Sequence, residues 1–146
     1  MAEVHLVVGV ALLVFSLAAT VWGAAAWMAS RPSVWFWYLL RAAQVVLVLQ
    51  ILLGGLLLAS GHETVRDVHY LYGLGALVVS FAAESMRAGS ARKELPGGVD
   101  FETLSDSEQR SIALRIVRRE TGLMTIAALL ILAFAFRAAQ TSGGLF

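Results

Sequence analysis

VHLVVGVALLVFSLAATVWGAAAWM, residues 4–28, contains no Asp, Glu, Lys or Arg, and its reading decides the fold. An α-helix rises 1.5 Å per residue, so about 20 apolar residues cross the hydrocarbon layer of a bilayer. Lipid offers backbone groups no hydrogen-bond partners, so such a span has to be helical. Residues 1–3 carry no basic charge and the apolar run is too long for a secretory signal, so the segment is expected to be a retained first helix.

Working outward, three more stretches are long and predominantly apolar, though each carries one or more charges: residues 34–60, 68–87 and 112–139. Arg31-Pro32-Ser33 breaks the first hairpin and Ser60-Gly61-His62 the second. The third connection, 88–111, is longer and polar and contains Pro96-Gly97-Gly98. Near its end, Ser105-Asp106-Ser107-Glu108 has the form of a capping box, after which an amphipathic stretch, 107–120, is expected to continue into the fourth span, with a bent or separate interfacial helix as the alternative. The expected fold is all-α: one integral membrane four-helix bundle in a single domain, residues 1–146.

Composition agrees. Of the 146 residues 59% are hydrophobic and 14% charged, against roughly 25% charged in a soluble domain. The formal net charge of +1 gives no bulk field for nucleic acid. With no cysteine, disulfides, thiolate metal sites, iron–sulfur clusters and thiol catalysis are excluded together. No phosphate loop, H-E-x-x-H pair or Ser/His/Asp arrangement is present.

Arg31, Arg41, Arg87, Arg92, Lys93, Arg110, Arg115, Arg118 and Arg119 fall on one side of the spans, and only Arg66 and Arg137 on the other. The positive-inside rule puts the first group in the cytoplasm of a multi-pass plasma-membrane protein, with both termini outside. Trp27, Trp35, Trp37 and Tyr38 would form the inner aromatic belt, with Tyr70 and Tyr72 near the outer one.

The spans contain an echo. Residues 5–19, HLVVGVALLVFSLAA, and 69–83, HYLYGLGALVVSFAA, share the pattern H-x-x-x-G-x-x-x-L-V-x-S-x-A-A. Both segments run inward, which predicts a parallel pseudo-repeat of two helix hairpins about an axis along the membrane normal. Such an axis brings His5 and His69 to one depth, facing each other, with Gly9 and Gly73 one turn deeper on the same faces. Two imidazoles opposed inside a bundle are the ligand set of a six-coordinate b-type haem. Glycine one turn below each would let a flat macrocycle approach, although close helix packing is the plainer role for it. Arg66 and Arg137 are candidate partners for the propionates, or snorkelling anchors. His62, in a short loop after Gly61, is expected to be solvated, with a substitute ligand role if His5 is not used.

The stretch Gln50-Ile51-Leu52-Leu53-Gly54-Gly55-Leu56-Leu57-Leu58, an outer loop, and His69 at the head of the next helix resemble one half of haem A synthase. Ala2-Glu3-Val4-His5 is similar to the entry of that family's other ligand helix. The resemblance covers roughly residues 2–85 and implies a bis-histidine haem site at His5 and His69. That family has two such halves where this chain has one; Leu6 stands where it has arginine, and its paired outer-loop cysteines have no counterpart.

Glu84, deep in the third span, needs a partner, for which Arg41, Arg115 and Arg118 are candidates. Gln44 and Gln50 could hydrogen-bond across the bundle, and Gln50 could also face a quinone or a haem edge. The leading expectation is a haem-b protein of electron transfer or haem handling. Against it stand a non-catalytic accessory or scaffold subunit, bound to a membrane-protein partner or to its own copies, and a small-solute transporter built on Glu84 and the repeat.

Overall fold

The computed structural model describes residues 2–61, 67–90 and 100–141. They form four long helices: α1 (Ala2–Met28), α2 (Val34–Ala59), α3 (Val68–Ala88) and α4 (Asp106–Thr141), with a single 3₁₀ turn at Phe101–Thr103. The fold is a helical bundle. Three of the helices, α1, α2 and α4, are long and apolar enough to cross a membrane. The stretch 68–87 was expected to be a fourth such span, but α3 falls short of that hydropathy because His69, Glu84 and Arg87 dilute its 21 residues.

Local chemistry sets the boundaries. Ser33 caps α2, its hydroxyl accepting from Phe36 N–H (3.4 Å) and from the indole of Trp22 (2.8 Å), which ties the cap back onto α1. At the head of α4, Glu108 accepts from both the amide (3.0 Å) and the hydroxyl (2.6 Å) of Ser105. These two bonds hold the Glu108 carboxyl below the usual carboxylate range, the hydroxyl contributing more. Only half of a capping box forms, because the serine hydroxyl goes to the carboxylate and not to a helix amide. From there α4 runs unbroken for 36 residues, so the amphipathic stretch 107–120 and the apolar 112–139 belong to one helix.

α1 packs closely against α2 and α4, and α3 against α4, whereas α2 and α3 touch only sparsely. His5 and His69 meet near Gln50 and Ala138 at one end, while Arg41 meets Glu84 at the other. α1 and α3 therefore run in one direction, α2 and α4 in the opposite one. The core has two layers. Ala19, Phe36, Leu40, Ala83, Met124, Ala127 and Ala128 fill the half near Arg41, and Leu12, Leu47, Ala76 and Ile131 the half near the histidines.

Burial keeps a constant register between helices. Leu12, Ser16 and Ala19 of α1 are buried, and so are the α3 residues 64 positions on: Ala76, Ser80 and Ala83 (12 to 76, 16 to 80, 19 to 83). Phe36, Leu40 and Ala43 of α2 match Met124, Ala128 and Ile131 of α4 at a spacing of 88 (36 to 124, 40 to 128, 43 to 131). Large apolar side chains such as Val7, Val14, Val21, Leu52, Leu71, Val78 and Phe81 point outward, each more than half exposed.

Candidate cofactor site between His5 and His69

The first turns of α1 and α3 and the last turns of α2 and α4 converge on two imidazoles whose ring centres lie 6.1 Å apart, inclined at 58°. His69 Nδ1–H donates to the Ala138 carbonyl of α4 (2.9 Å). That bond fixes the tautomer and leaves the lone pair on Nε2, the usual arrangement of a metal-ligating histidine. On the other ring, His5 Nε2 accepts from Gln50 Nε2 of α2 (3.1 Å). Its proton is then on Nδ1, which is buried with no partner among the described residues, as is Gln50 Oε1. Buried polar atoms are nearly always satisfied, so two orphans at one place mark an arrangement lacking something polar or coordinating.

Small residues make the room. A methyl group at Gly54 would lie 3.2 Å from His5 Cε1, so the α2 glycine is where the imidazole fits. At Gly9 it would lie 3.0 Å from Gln50 Nε2, and at Gly73 an ordinary 3.4 Å from Ile51 Cδ1. Gly9 thus accommodates Gln50, and Gly73 is under little steric demand. Arg137 is exposed; its guanidinium lies over the Tyr72 ring (5.8 Å) and donates to Gln140 (2.8 Å). Arg66 and His62 lie outside the described residues.

Two contributors could not be assigned from sequence. The Ala138 carbonyl carries no side-chain signal at all. Gln50 is visible as a polar residue in an apolar helix, but its pairing with His5 depends on how α1 and α2 are staggered.

The opposite end holds a second polar cluster. Glu84 accepts from Arg41 (2.6 Å), Gln44 (2.9 Å) and Arg87 (2.9 Å), and Gln44 donates to Ser80 (3.3 Å). Arg87 also approaches Glu120 (3.8 Å) and covers the Trp37 ring (5.7 Å). Of the three arginines expected to serve Glu84, Arg41 does; Arg115 instead donates to Ser111 (2.7 Å), and Arg87, one turn along α3, takes the other place. Every polar atom of Glu84 is engaged, which makes this cluster a structural tie.

Among the described residues no three His, Cys, Asp or Glu side chains gather to hold a metal ion by themselves. Comparison with protein-family models, curated proteins and solved structures found no match.

Proposed function

We propose that this chain is an integral membrane protein that holds one b-type haem between His5 and His69, for electron transfer or haem handling. The 6.1 Å separation of the two rings carries the proposal. Two imidazoles bound on opposite sides of one metal ion, each through a bond of ~2.0 Å, have ring centres ~6 Å apart. His5 Nδ1 and Gln50 Oε1, unpartnered among the described residues, add unmet polar capacity beside the two rings.

Membrane insertion is supported by the many large apolar side chains left exposed on the outside of the bundle, while small residues such as Ser16, Ala19 and Ala83 pack inside beside Phe36, Leu40 and Met124. In this reading all four helices span, with His69 and Arg87 of α3 meeting α4 and Ser80 and Glu84 meeting α2. The arginine-rich end faces the cytoplasm and the histidine end lies outside. The constant spacings of 64 and 88 in the buried positions favour a parallel pseudo-repeat of two hairpins. The likeness of residues 2–85 to half of haem A synthase points to the same ligand pair; its missing second half, arginine and cysteines argue against haem A synthesis.

The residues present suit the group. Haem would supply one-electron chemistry at the outer level of the bundle. The Ala138 carbonyl orients His69, and Gly54 keeps space for the ring of His5. Gln50, which donates to His5 Nε2, would have to give up that hydrogen bond for His5 to hold the group. Arg137 is the described cation nearest that end for a propionate.

Protein purified from haem-supplemented cells should show a sharp Soret band and, on reduction, distinct α and β bands. His5→Ala or His69→Ala should abolish both. Gln50→Leu should bind haem at least as tightly as the parent. A colourless protein that is folded and monodisperse would sink the proposal.

A further inference from the structure

We infer that the cleft between the α1–α2 turn and α4 binds the phosphate of an anionic phospholipid in the inner leaflet. The turn is unusual. Ser30 adopts φ 52°, in the left-handed region that favours glycine. Its amide donates to the Trp27 carbonyl (3.1 Å) and that of Arg31 to the Ala26 carbonyl (3.0 Å), the two bonds of a Schellman cap. Glycine would close this cap without strain; a serine there keeps a hydroxyl at the spot, and strained residues persist where the surroundings use them.

Ser30 lines a shallow surface cleft together with Arg31, Trp27, Leu114, Val117 and Arg118. Neither Arg31 nor Arg118 pairs with a carboxylate among the described residues, and no lining residue is acidic. Glu120, the nearest acid along α4, is turned toward Arg87 and Ser90 of α3. Two free guanidiniums and a hydroxyl beside Leu114 and Val117 give phosphate donors next to an apolar wall. That is the chemistry of a lipid headgroup with its chain, and less that of a free ion. The indole of Trp27, seated on Gly122, supplies the interfacial aromatic. The inference rests on the membrane orientation proposed above and is independent of haem.

The test is thermal unfolding of the full chain in neutral detergent. Phosphatidylglycerol, phosphatidylcholine of the same acyl chains, or millimolar inorganic phosphate is added, and retained lipid is counted by native mass spectrometry. Phosphatidylglycerol should raise the midpoint by several degrees and stay bound, with neither other addition doing so. Arg31→Gln with Arg118→Gln should weaken apparent affinity on the order of tenfold. Arg110→Gln, which removes a charge about two turns further back along α4, should not. Ser30→Gly should raise the lipid-free midpoint while reducing the lipid response. If the double variant fails to fold, Arg118→Gln alone must at least halve the shift. An equal shift from phosphatidylcholine, a shift from inorganic phosphate alone, or a shift that survives the arginine changes overturns the site. Protein that is monodisperse in water without detergent would instead remove the membrane reading beneath it.

Discussion

The α1/α4 seam and the α2/α3 seam occupy corresponding places if the two hairpins are read as repeats, yet they are closed by different physics. α1 and α4 interlock sterically. A methyl group at Gly122 would come within 2.5 Å of the Trp27 ring, and one at Gly23 would overlap both Thr125 Oγ1 and the Phe36 ring. α2 and α3 barely touch, and what links them is polar: Arg41 and Gln44 on one side, Ser80 and Glu84 on the other. If the bundle sits in lipid, as proposed above, there is no hydrophobic gain from bringing helices together, and association rests on close packing of small residues and on interhelical hydrogen bonds. This molecule uses one of these on each side. The packed seam should be rigid and intolerant of volume, and the polar seam tolerant of volume but sensitive to charge.

Volume is the way to break the first seam, with the largest effect. Gly122→Leu drives four carbons into the Trp27 indole and should cost about 3 kcal/mol, the upper end of overpacking. The measurement is unfolding by a denaturing detergent in mixed micelles. Gly55 is the control, because a methyl group there meets nothing within 4 Å. Gly55→Ala should be neutral or gain up to about 1 kcal/mol from helix propensity. Equal losses at both positions would mean that α1 and α4 do not approach as described.

Charge is the way to break the second. Glu84→Gln removes the carboxylate charge that Arg41 and Arg87 share and leaves them a single amide oxygen there. Side-chain exposure is 26% for Glu84 and 48% for Arg41, so solvent screens much of the pair. The expected loss is about 1–2 kcal/mol, well below that of a fully buried ion pair. Haem content should not change, since the cluster lies at the opposite end from the histidines. Loss of the Soret band in Glu84→Gln would tie the two ends together and overturn the purely structural role of the cluster.

Much of this contrast was open to sequence reasoning and part of it was not. The limits of α1 and α2 follow from hydropathy and from Arg31-Pro32-Ser33, and a repeated H-x-x-x-G pattern is enough to single out His5 and His69. The start of α4 at Asp106 is hidden from hydropathy because its first turns are polar, and only the Ser105/Glu108 pair betrays it. The glycines show the deeper limit. Gly9 and Gly73 stand out by their spacing from histidine, but Gly23 and Gly122 bear the closest contacts. Nothing local distinguishes them, because a glycine's role is set by the residue across the interface. Likewise Arg87 wins Glu84 by lying one turn away on α3, an advantage that candidates on α4 cannot match.

The smallest effects sharpen the comparison most. Ser16 and Ser80 are equivalent in the echo and both are buried, yet Ser80 accepts from Gln44 while Ser16 Oγ has no partner among the described residues. The 88-residue spacing between α2 and α4 offers a reason: position 132, which answers to Gln44, is leucine. Ser80→Ala should therefore cost about 0.6 kcal/mol, the typical worth of a hydrogen bond between membrane helices. Ser16→Ala should cost nothing or stabilise, because it removes an unsatisfied buried hydroxyl. Leu132→Gln would supply the missing donor. Its own effect mixes lost packing with the new bond, so the quantity to measure is its coupling to Ser16 in a double-mutant cycle. A favourable coupling of about 0.6 kcal/mol, absent in the Ser16→Ala background, would mean that α4 stands to α1 as α2 stands to α3. A coupling of zero would reduce the matching burial registers to coincidence and leave the two seams unrelated.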